Sequence, residues 1–293
     1  MVKSKPKSGE PTVRVGGALA IIDLLGDFGI DAVEALAEAG IQPKLLEDPD
    51  NLITYRARGR LMAGAARRTG CPHFGLLVGQ RMNLQSLGLV GLLARSSLDV
   101  ESALRSIVNY LHLHSRGASM GIDVDASLAI LSYDAHEASV EGADQTGDGA
   151  VAMMLNVMRA LCGPRFMPVE ARFAHRRPED VRPFRKFFQV PVRYDAERYA
   201  LVFSSDWLHE SGTGSDPELR RLLQKQIDAL GVKYSYDFRE SVRSVLRSAL
   251  LTGHASADEV AALFSMHTRT LGRRLDDFGT CFQELVDECP TDA

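Results

Sequence analysis

Cysteine is scarce in this sequence. Four cysteines occur in 293 residues, and they form no C-x-x-C pair and no spacing typical of a disulfide framework: Cys71, Cys162, Cys281 and Cys289. This usage is typical of a reduced compartment, so we expect a cytoplasmic protein. The basic N-terminus is not followed by an apolar stretch, so we expect no signal peptide.

Long hydrophobic runs are also missing. The longest apolar-rich stretch, Ala150–Cys162, is interrupted by Asn156 and Arg159 and is too short to cross a bilayer, so we expect no membrane partner. Only the first residues are biased in composition, and we expect 1–15 to be a disordered tail. The remaining composition is that of a globular protein, whose length favours two domains.

The sequence also lacks an excess of positive charge. The formal net charge is −4, so the chain as a whole has no general attraction for nucleic acid. Any DNA contact must therefore come from local placement of Lys and Arg.

Enzymatic chemistry finds little support. Gly117–Gly121 matches the G-x-S-x-G hydrolase pattern, but that motif needs a strand before the serine and a helix after it. Here a predicted helix precedes Ser119 and an alternating strand follows, so we expect a surface serine and no enzyme.

Metal ligands in a suitable pattern are lacking as well. Cys71 and His73 lie close together, as do His112 and His114, but no further Cys or His pair completes a zinc set. Residues two apart on a helix point in different directions, which disfavours chelation by the second pair. We expect no bound metal and no cofactor.

The first two thirds of the chain mix helical and strand patterns. Residues 16–112 are mostly helical in period, with apolar residues three apart (Leu19, Ile22, Leu25 and Phe28), a helix over Tyr55–Thr69 and a helix over Val100–His112 that Asp99 caps. Strands are predicted at Met120–Val124, Leu128–Tyr133 and Val169–His175, with helices at Ala150–Leu161 and Pro178–Phe188 and paired strands at Val190–Tyr194 and Tyr199–Phe203. The pattern predicts an α+β sensing domain over 16–208.

The last third is entirely helical in pattern. His209–Pro217 has the composition of a linker, and Asp216 begins a helix that we interpret as bridging or dimer-forming, so 209–236 joins two domains. Within 237–293, a helix over Phe238–Leu251 precedes a capping box at Ser256–Glu259, and a further helix covers Thr268–Phe278. We expect an all-α helix-turn-helix domain.

The second helix of this pair carries the candidate DNA contacts. Arg269, Gly272 and Arg273 share one face, from which the arginines can reach guanine edges or phosphates in a major groove. Arg239, Arg243 and Arg247 form a basic stripe on the preceding helix, suited to the DNA backbone. Solvated arginine faces are common, so spacing alone leaves both interpretations open.

These residues carry a resemblance to a known family. VAALFSMHTRTLGRRLDDFGTCFQELVDE, over 260–288, resembles the first helix-turn-helix of the AraC/XylS regulators. HFGLLVGQRMNLQSLGLVGLLARSSLDVESAL (73–104) and FAHRRPEDVRPFRKFFQVPVRYDAERYALVF (173–203) resemble the arabinose-binding-type sensing domain of one branch. The resemblance implies DNA binding through Thr268, Arg269, Thr270, Gly272 and Arg273, with Arg243 on the backbone.

Some positions depart from the family pattern. His267 and Ser265 replace the usual Ser and Gly of the turn, Gly272 replaces a longer polar residue, and Gln189 and Tyr199 differ in the sensing motif. The family continues into a second helix-turn-helix, whereas this sequence reads DECPTDA and stops. We therefore expect a chain truncated after the first helix-turn-helix. From 237 to 293 it holds six Arg, no Lys and ten Asp or Glu, a charge of 6 − 10 = −4.

We expect a transcription regulator whose partners are promoter DNA, an unidentified small-molecule effector and a second copy of the chain, with contact to RNA polymerase left open. The alternative is a truncated regulator that senses and dimerises but binds DNA poorly. The ligand-binding residues are not identified, and the methionines Met153, Met154 and Met158 fit either a core or an adaptable pocket.

Overall fold

The computed structural model describes residues 10–137, 139–212, 214–230, 242–243, 246, 256–263, 268–276 and 279–288. The strands are β1 (Thr12–Arg14), β2 (Leu52–Thr54), β3 (Ala118–Asp125), β4 (Leu128–Ala135), β5 (Glu170–Arg172), β6 (Val192–Arg193) and β7 (Tyr199–Ser204). The helices are α1 (Gly16–Asp27), α2 (Ala32–Ala39), α3 (Tyr55–Thr69), α4 (Phe74–Arg81), α5 (Leu89–Arg95), α6 (Val100–Tyr110), α7 (Ala143–Cys162), α8 (Arg182–Phe188), α9 (217–230), α10 (Ala257–Leu263), α11 (Thr268–Asp276) and α12 (Phe282–Asp287).

A five-stranded sheet in the order β3-β4-β7-β5-β6 forms one part of the first domain. Strands β3 and β4 make the predicted antiparallel hairpin, and Ala126 occupies its turn with a φ of 49°. The predicted pairing of Val190–Tyr194 with Tyr199–Phe203 is wrong. Strand β5 lies between β6 and β7, pairing parallel with the first and antiparallel with the second. Short strands of this kind take their partners from distant segments, which local pattern does not reveal.

Helix α7 organises the core, because it contacts both the sheet and the helices of the N-terminal half. It crosses α4 at close range through Gly75, Gly79 and Gly149, positions where a Cβ would meet backbone atoms of the other helix. Asn156 of α7 then donates hydrogen bonds of 3.1, 3.0 and 2.8 Å to the carbonyl oxygens of Gly79, Gln80 and Met82. The C-terminal carbonyls of α4 are thereby satisfied by a side chain.

The N-terminal segment departs from the prediction in two respects. Thr12–Arg14 lies within the predicted tail, yet it forms strand β1 and pairs with β2, with Val13 buried. Helix α1 follows the predicted spacing only in part. Leu25 is buried as the spacing indicates, but Ile21 and Leu24 are buried beside it, whereas Phe28 is 44% exposed. The packing of its neighbours decides which apolar residues of this helix face inward.

Helix boundaries show where local signals succeed. Helix α6 begins after Asp99, whose carboxylate accepts a hydrogen bond of 2.7 Å from the Ser102 amide, as predicted. Helix α7 begins at Ala143 rather than Ala150, and α8 begins at Arg182 rather than Pro178. Glycines at 147 and 149 disguise the first turns of α7, because glycine has low helix propensity.

The C-terminal helices pack around a small core of their own: Val242, Leu246, Val260, Ala261, Leu271, Leu275 and Leu285. The capping box is confirmed, since the Ser256 amide donates to Glu259 Oε2 at 3.0 Å and the Glu259 amide donates to Ser256 Oγ at 3.2 Å. The rest of the predicted helix over Phe238–Leu251 and the proline at 290 lie outside the described residues. The result is a mixed α+β domain followed by packed helices.

The segment between these parts contacts the first domain. Gly212 donates its amide to the Leu98 carbonyl at 2.9 Å, and α9 buries Leu223 and Ile227 against Leu93. None of the helices in the described part of the chain is long and apolar enough to span a membrane.

Candidate functional site

A cavity of about 70 Å³ lies in the first domain and is lined by residues of helices α1, α3, α4, α6 and α7 and of the β3–β4 hairpin. Its wall is mostly apolar and rich in methionine: Met62, Val78, Met82, Leu87, Leu104, Ile107, Leu111, Met120, Leu131, Met153, Met154 and Val157. Its polar members are Arg58, His114, Ser115, Tyr133 and Thr146. An apolar enclosure with a few convergent polar groups is typical of a small-molecule site.

Arg58 is the cationic group of this wall. Its guanidinium is enclosed by protein, although the residue keeps intermediate exposure, which we assign to the cavity it lines. The guanidinium carbon lies 5.1 Å from the centre of the Tyr55 ring, a cation–π distance. Among the described residues no Asp or Glu lines the cavity or pairs with Arg58, and the Arg58 Nε has no hydrogen-bond partner there.

Two tyrosine hydroxyls stand beside this guanidinium. Tyr55 and Tyr133 share a buried hydrogen bond of 2.6 Å between their hydroxyl oxygens, although they are far apart in sequence. Burial raises the pKa of Tyr133 well above its ordinary value, so the hydroxyl keeps its proton at neutral pH. The pair presents polar groups to Arg58 without neutralising its charge.

His114 completes the polar side of the cavity. Burial, together with the positive charges of Arg14 and Arg58, lowers the pKa of His114 to about 3, so the imidazole is neutral. Its Nδ1 and the hydroxyl of Ser115 are buried without a hydrogen-bond partner in the described structure. Unsatisfied buried polar atoms are uncommon in folded proteins, and here several of them surround one cavity.

A buried His–Asp pair lies next to the cavity-lining residues of α7. His175 Nε2 lies 2.7 Å from Asp148 Oδ1, and His175 Nδ1 lies 2.7 Å from the Arg176 carbonyl oxygen. Burial lowers the pKa of His175, but the hydrogen bond and charge of Asp148 outweigh it and bring the value to about 8. Both ring nitrogens face acceptors, as an imidazolium requires. The pair ties α7 to the segment after β5 and acts as a structural link.

The sequence analysis names none of the polar cavity residues as ligand-binding. His114 enters it only as half of a rejected metal pair, and Arg58 lies within the predicted helix over Tyr55–Thr69 without being singled out. Met153 and Met154 line the cavity while Met158 is buried in the core, and a ligand role for the first two stays a prediction. Ser119, expected at the surface, is buried in β3.

The candidate DNA residues lie mainly on α11. Arg269 and Arg273 are exposed on the face opposite the buried Leu271 and Leu275, and a Cβ at Gly272 would meet open space. The Thr268 hydroxyl donates a hydrogen bond to the carboxylate of Asp258 on α10.

Two further candidate DNA-binding residues, Arg243 and Thr270, are less clearly available for DNA contact. Arg243 forms an ion pair with Glu288, so its guanidinium faces a carboxylate of this chain. Thr270 belongs to α11 through its backbone, and Arg239 and Arg247 lie outside the described residues. Among the described residues no group of three or more His, Cys, Asp or Glu side chains is arranged to hold a metal ion.

Comparison with known proteins decides the family. A family model described as the arabinose-binding N-terminal domain of the AraC transcription regulator matches residues 29–211, more than half of the chain. The chain belongs to this AraC-type family. The matched residues hold the cavity and most of the first domain, so the arrangement described above is the architecture of an AraC-type regulator's N-terminal domain.

Curated relatives extend the similarity over most of the chain. This AraC-type chain is 24% identical over 283 residues to the ornithine utilization regulator of Pseudomonas aeruginosa, covering 94% of this chain and 82% of the relative. It is 24% identical to the HTH-type transcriptional regulator VirS of Mycobacterium tuberculosis over 277 residues, with the same two coverages. These relatives are transcription regulators and not enzymes.

A solved structure shares the fold. The transcriptional regulator CdpR from Pseudomonas aeruginosa superposes with a TM-score of 0.51 at 19% identity, covering 87% of this chain and 80% of that one. At this identity the comparison supports the architecture, a mixed α+β domain with helices after it. The family match and the named relatives make this AraC-type chain a transcription regulator.

Proposed function

We propose that this regulator binds DNA sequence-specifically through α11 and that a small molecule held in the cavity of the first domain controls this binding. The observation that carries the proposal is that the cavity and the exposed arginines of α11 belong to different parts of the chain. A methionine-rich cavity with unsatisfied polar atoms among its lining residues lies in the first domain, and Arg269 and Arg273 stand exposed on α11, the second helix of the predicted helix-turn-helix. The first suits a small molecule and the second suits a major groove.

The DNA half of the proposal is tested through Arg273. We expect Arg273→Ala to weaken binding to the operator by about 1–3 kcal/mol and to relax base preference at one position, because an arginine on a base edge reads sequence. Fluorescence anisotropy with DNA from upstream of the gene and of its neighbours gives the affinities. Arg105→Ala, at an exposed residue of α6 paired with Glu101, is the matched control and should bind as the parent does. Equal losses on all sequences would argue against base readout by α11.

A second candidate function is favoured by charge. Residues 237–293 carry −4, and Arg243 already faces Glu288. A regulator of this kind would sense and dimerise but bind DNA poorly, near the non-specific level of about 10⁻⁴–10⁻⁶ M at physiological salt. The same titration at about 0.15 M salt discriminates, since a nanomolar, sequence-specific complex excludes this second function.

Dimerisation is part of the proposal because it would let two helix-turn-helix units engage one site. Helix α9 buries Leu223 and Ile227 against the first domain but leaves Leu219 43% and Leu222 50% exposed on another face. We expect a homodimer that Leu222→Glu weakens, as measured by light scattering. An unchanged mass would remove α9 from the interface.

A further inference from the structure

The charge of the cavity is not balanced by the protein. Arg58 keeps its proton at all physiological pH values, and its guanidinium is enclosed in a mostly apolar wall. In the described part of the chain it has no carboxylate partner, and its contacts are the ring of Tyr55 and the neighbouring tyrosine hydroxyls. Burying a charge without a partner is costly. Folding has already removed water from Arg58, so an anion that entered the cavity would lose only its own hydration, and the low dielectric would strengthen its attraction to the guanidinium.

One cation favours a monoanion. Among the described residues of the lining, Arg58 is the only Lys or Arg, and His114 is neutral. A bound dianion would therefore leave a net negative charge against the apolar wall. A planar carboxylate matches the two parallel N–H groups of a guanidinium. Tyr133 and Ser115 line the same cavity, and the Ser115 hydroxyl is buried without a hydrogen-bond partner in the described structure.

The rest of the ligand must be apolar and uncharged. No Asp or Glu among the described lining residues can receive an ammonium group, so an amino acid would place its positive charge against methionine and leucine side chains. The free volume of about 70 Å³ holds roughly five to seven water-sized groups, each needing about 10–15 Å³. Methionines can shift to admit slightly longer chains.

We propose that the effector is a small aliphatic monocarboxylate of about three to five carbons, its carboxylate bound by Arg58 and its chain packed on the methionine-rich wall. This assignment rests on the proposed function, because it names the chemistry of the molecule that the regulator would sense. It makes Arg58 the anchoring residue of the site.

Thermal unfolding of the full chain with a matched set of probes tests the assignment. Pentanoate should raise Tm by on the order of 5–10 °C at 100 times its Kd, while pentanamide, pentylamine and norvaline at equal concentration should leave Tm nearly unchanged. Inorganic phosphate distinguishes a general anion site from a carboxylate site. Equal effects of pentanoate and pentanamide, or a larger effect of phosphate, would overturn the proposal.

Variants at Arg58 locate the carboxylate. Arg58→Met removes the charge with a side chain that suits the wall, and we expect pentanoate affinity by calorimetry to fall at least tenfold. Arg56→Met, on the same helix with an exposed side chain paired to Glu137, is the control and should bind pentanoate as the parent does.

Undiminished binding by Arg58→Met would overturn the proposal. If that variant does not fold, Arg58→Lys replaces it, with the same tenfold criterion because lysine lacks the planar fork.

Failure of the proposed function is measured separately. Pentanoate binding requires no DNA, so binding of pentanoate without any change in operator affinity would count against effector control and leave the ligand assignment standing. Operator binding that some other molecule alters, with no pentanoate binding, would refute the ligand assignment and support the proposed function.

Discussion

At the residue scale, Gly79 and Gly26 make a matched pair. A Cβ at Gly79 would lie 2.7 Å from the Cβ of Ala152 and would meet the backbone of Gly149, whereas a Cβ at Gly26 has no atom within 4 Å. We expect Gly79→Ala to lower the free energy of unfolding by about 1–3 kcal/mol through overpacking. Gly26→Ala should raise it by about 0.5–1 kcal/mol, because alanine is the better helix former. Urea denaturation measures both, and a neutral Gly79→Ala would mean that α4 and α7 can separate at little cost.

The His175–Asp148 pair predicts a pH dependence at the same scale. The pKa of His175 is raised to about 8 in the folded chain from about 6.5 in the unfolded one. The pair therefore stabilises the fold below pH 6.5 as long as Asp148, whose own pKa is raised by burial, stays ionised. This contribution is lost as the pH rises through 8.

We expect the parent to lose stability between pH 6 and 9, and His175→Gln to lose less over that interval. Urea midpoints at the two pH values give the comparison. His209→Gln, at an exposed histidine, is the control and should follow the parent. Identical slopes for all three chains would mean that the pair is not charged in the folded state.

At the scale of elements, α9 is held by specific contacts as well as by apolar burial. Gln224 donates to the Tyr110 hydroxyl at 2.8 Å, and Arg220 contacts the Ser97 hydroxyl. We expect Ile227→Ala to lower the free energy of unfolding by about 2–5 kcal/mol, because a buried isoleucine leaves a cavity.

Lys225→Ala is the control for α9, since this lysine is exposed and its replacement should change stability by less than about 0.5 kcal/mol. Hydrogen exchange over 217–230 shows whether the loss is local. Faster exchange confined to this helix, without a change in global unfolding, would mean that α9 detaches on its own.

At the scale of the whole molecule, the main core is contained in the first part of the chain. Every buried residue of that cluster lies between Val13 and Leu208. We therefore expect residues 1–208 to fold alone, and residues 1–230 to melt several degrees higher because α9 covers Leu93. Circular dichroism of the two fragments tests both statements, and an unfolded 1–208 fragment beside a folded full chain would show that the boundary at 208 is misplaced.

Local chemistry in the sequence determined several elements of this protein. Asp99 and the Ser256–Glu259 box act within one helical turn, and the period of two around Met120 is complete within a single hairpin, so each signal could be recognised without knowledge of the fold. The matching of 260–288 and of the two sensing-domain segments to a family pattern was likewise readable from residue order alone. The exposed arginines of α11 follow from the same periodicity.

Only the tertiary structure decided the rest. Arg58, His114 and Tyr133 come from α3, the segment before β3, and β4, and nothing in their local sequence indicates that they surround one cavity. The inward face of α1, the separation of β6 from β7 by β5 and the first turns of α7 depend in the same way on distant partners. Close packing selects among locally equivalent faces and pairings, and it acts between residues that the chain order keeps far apart.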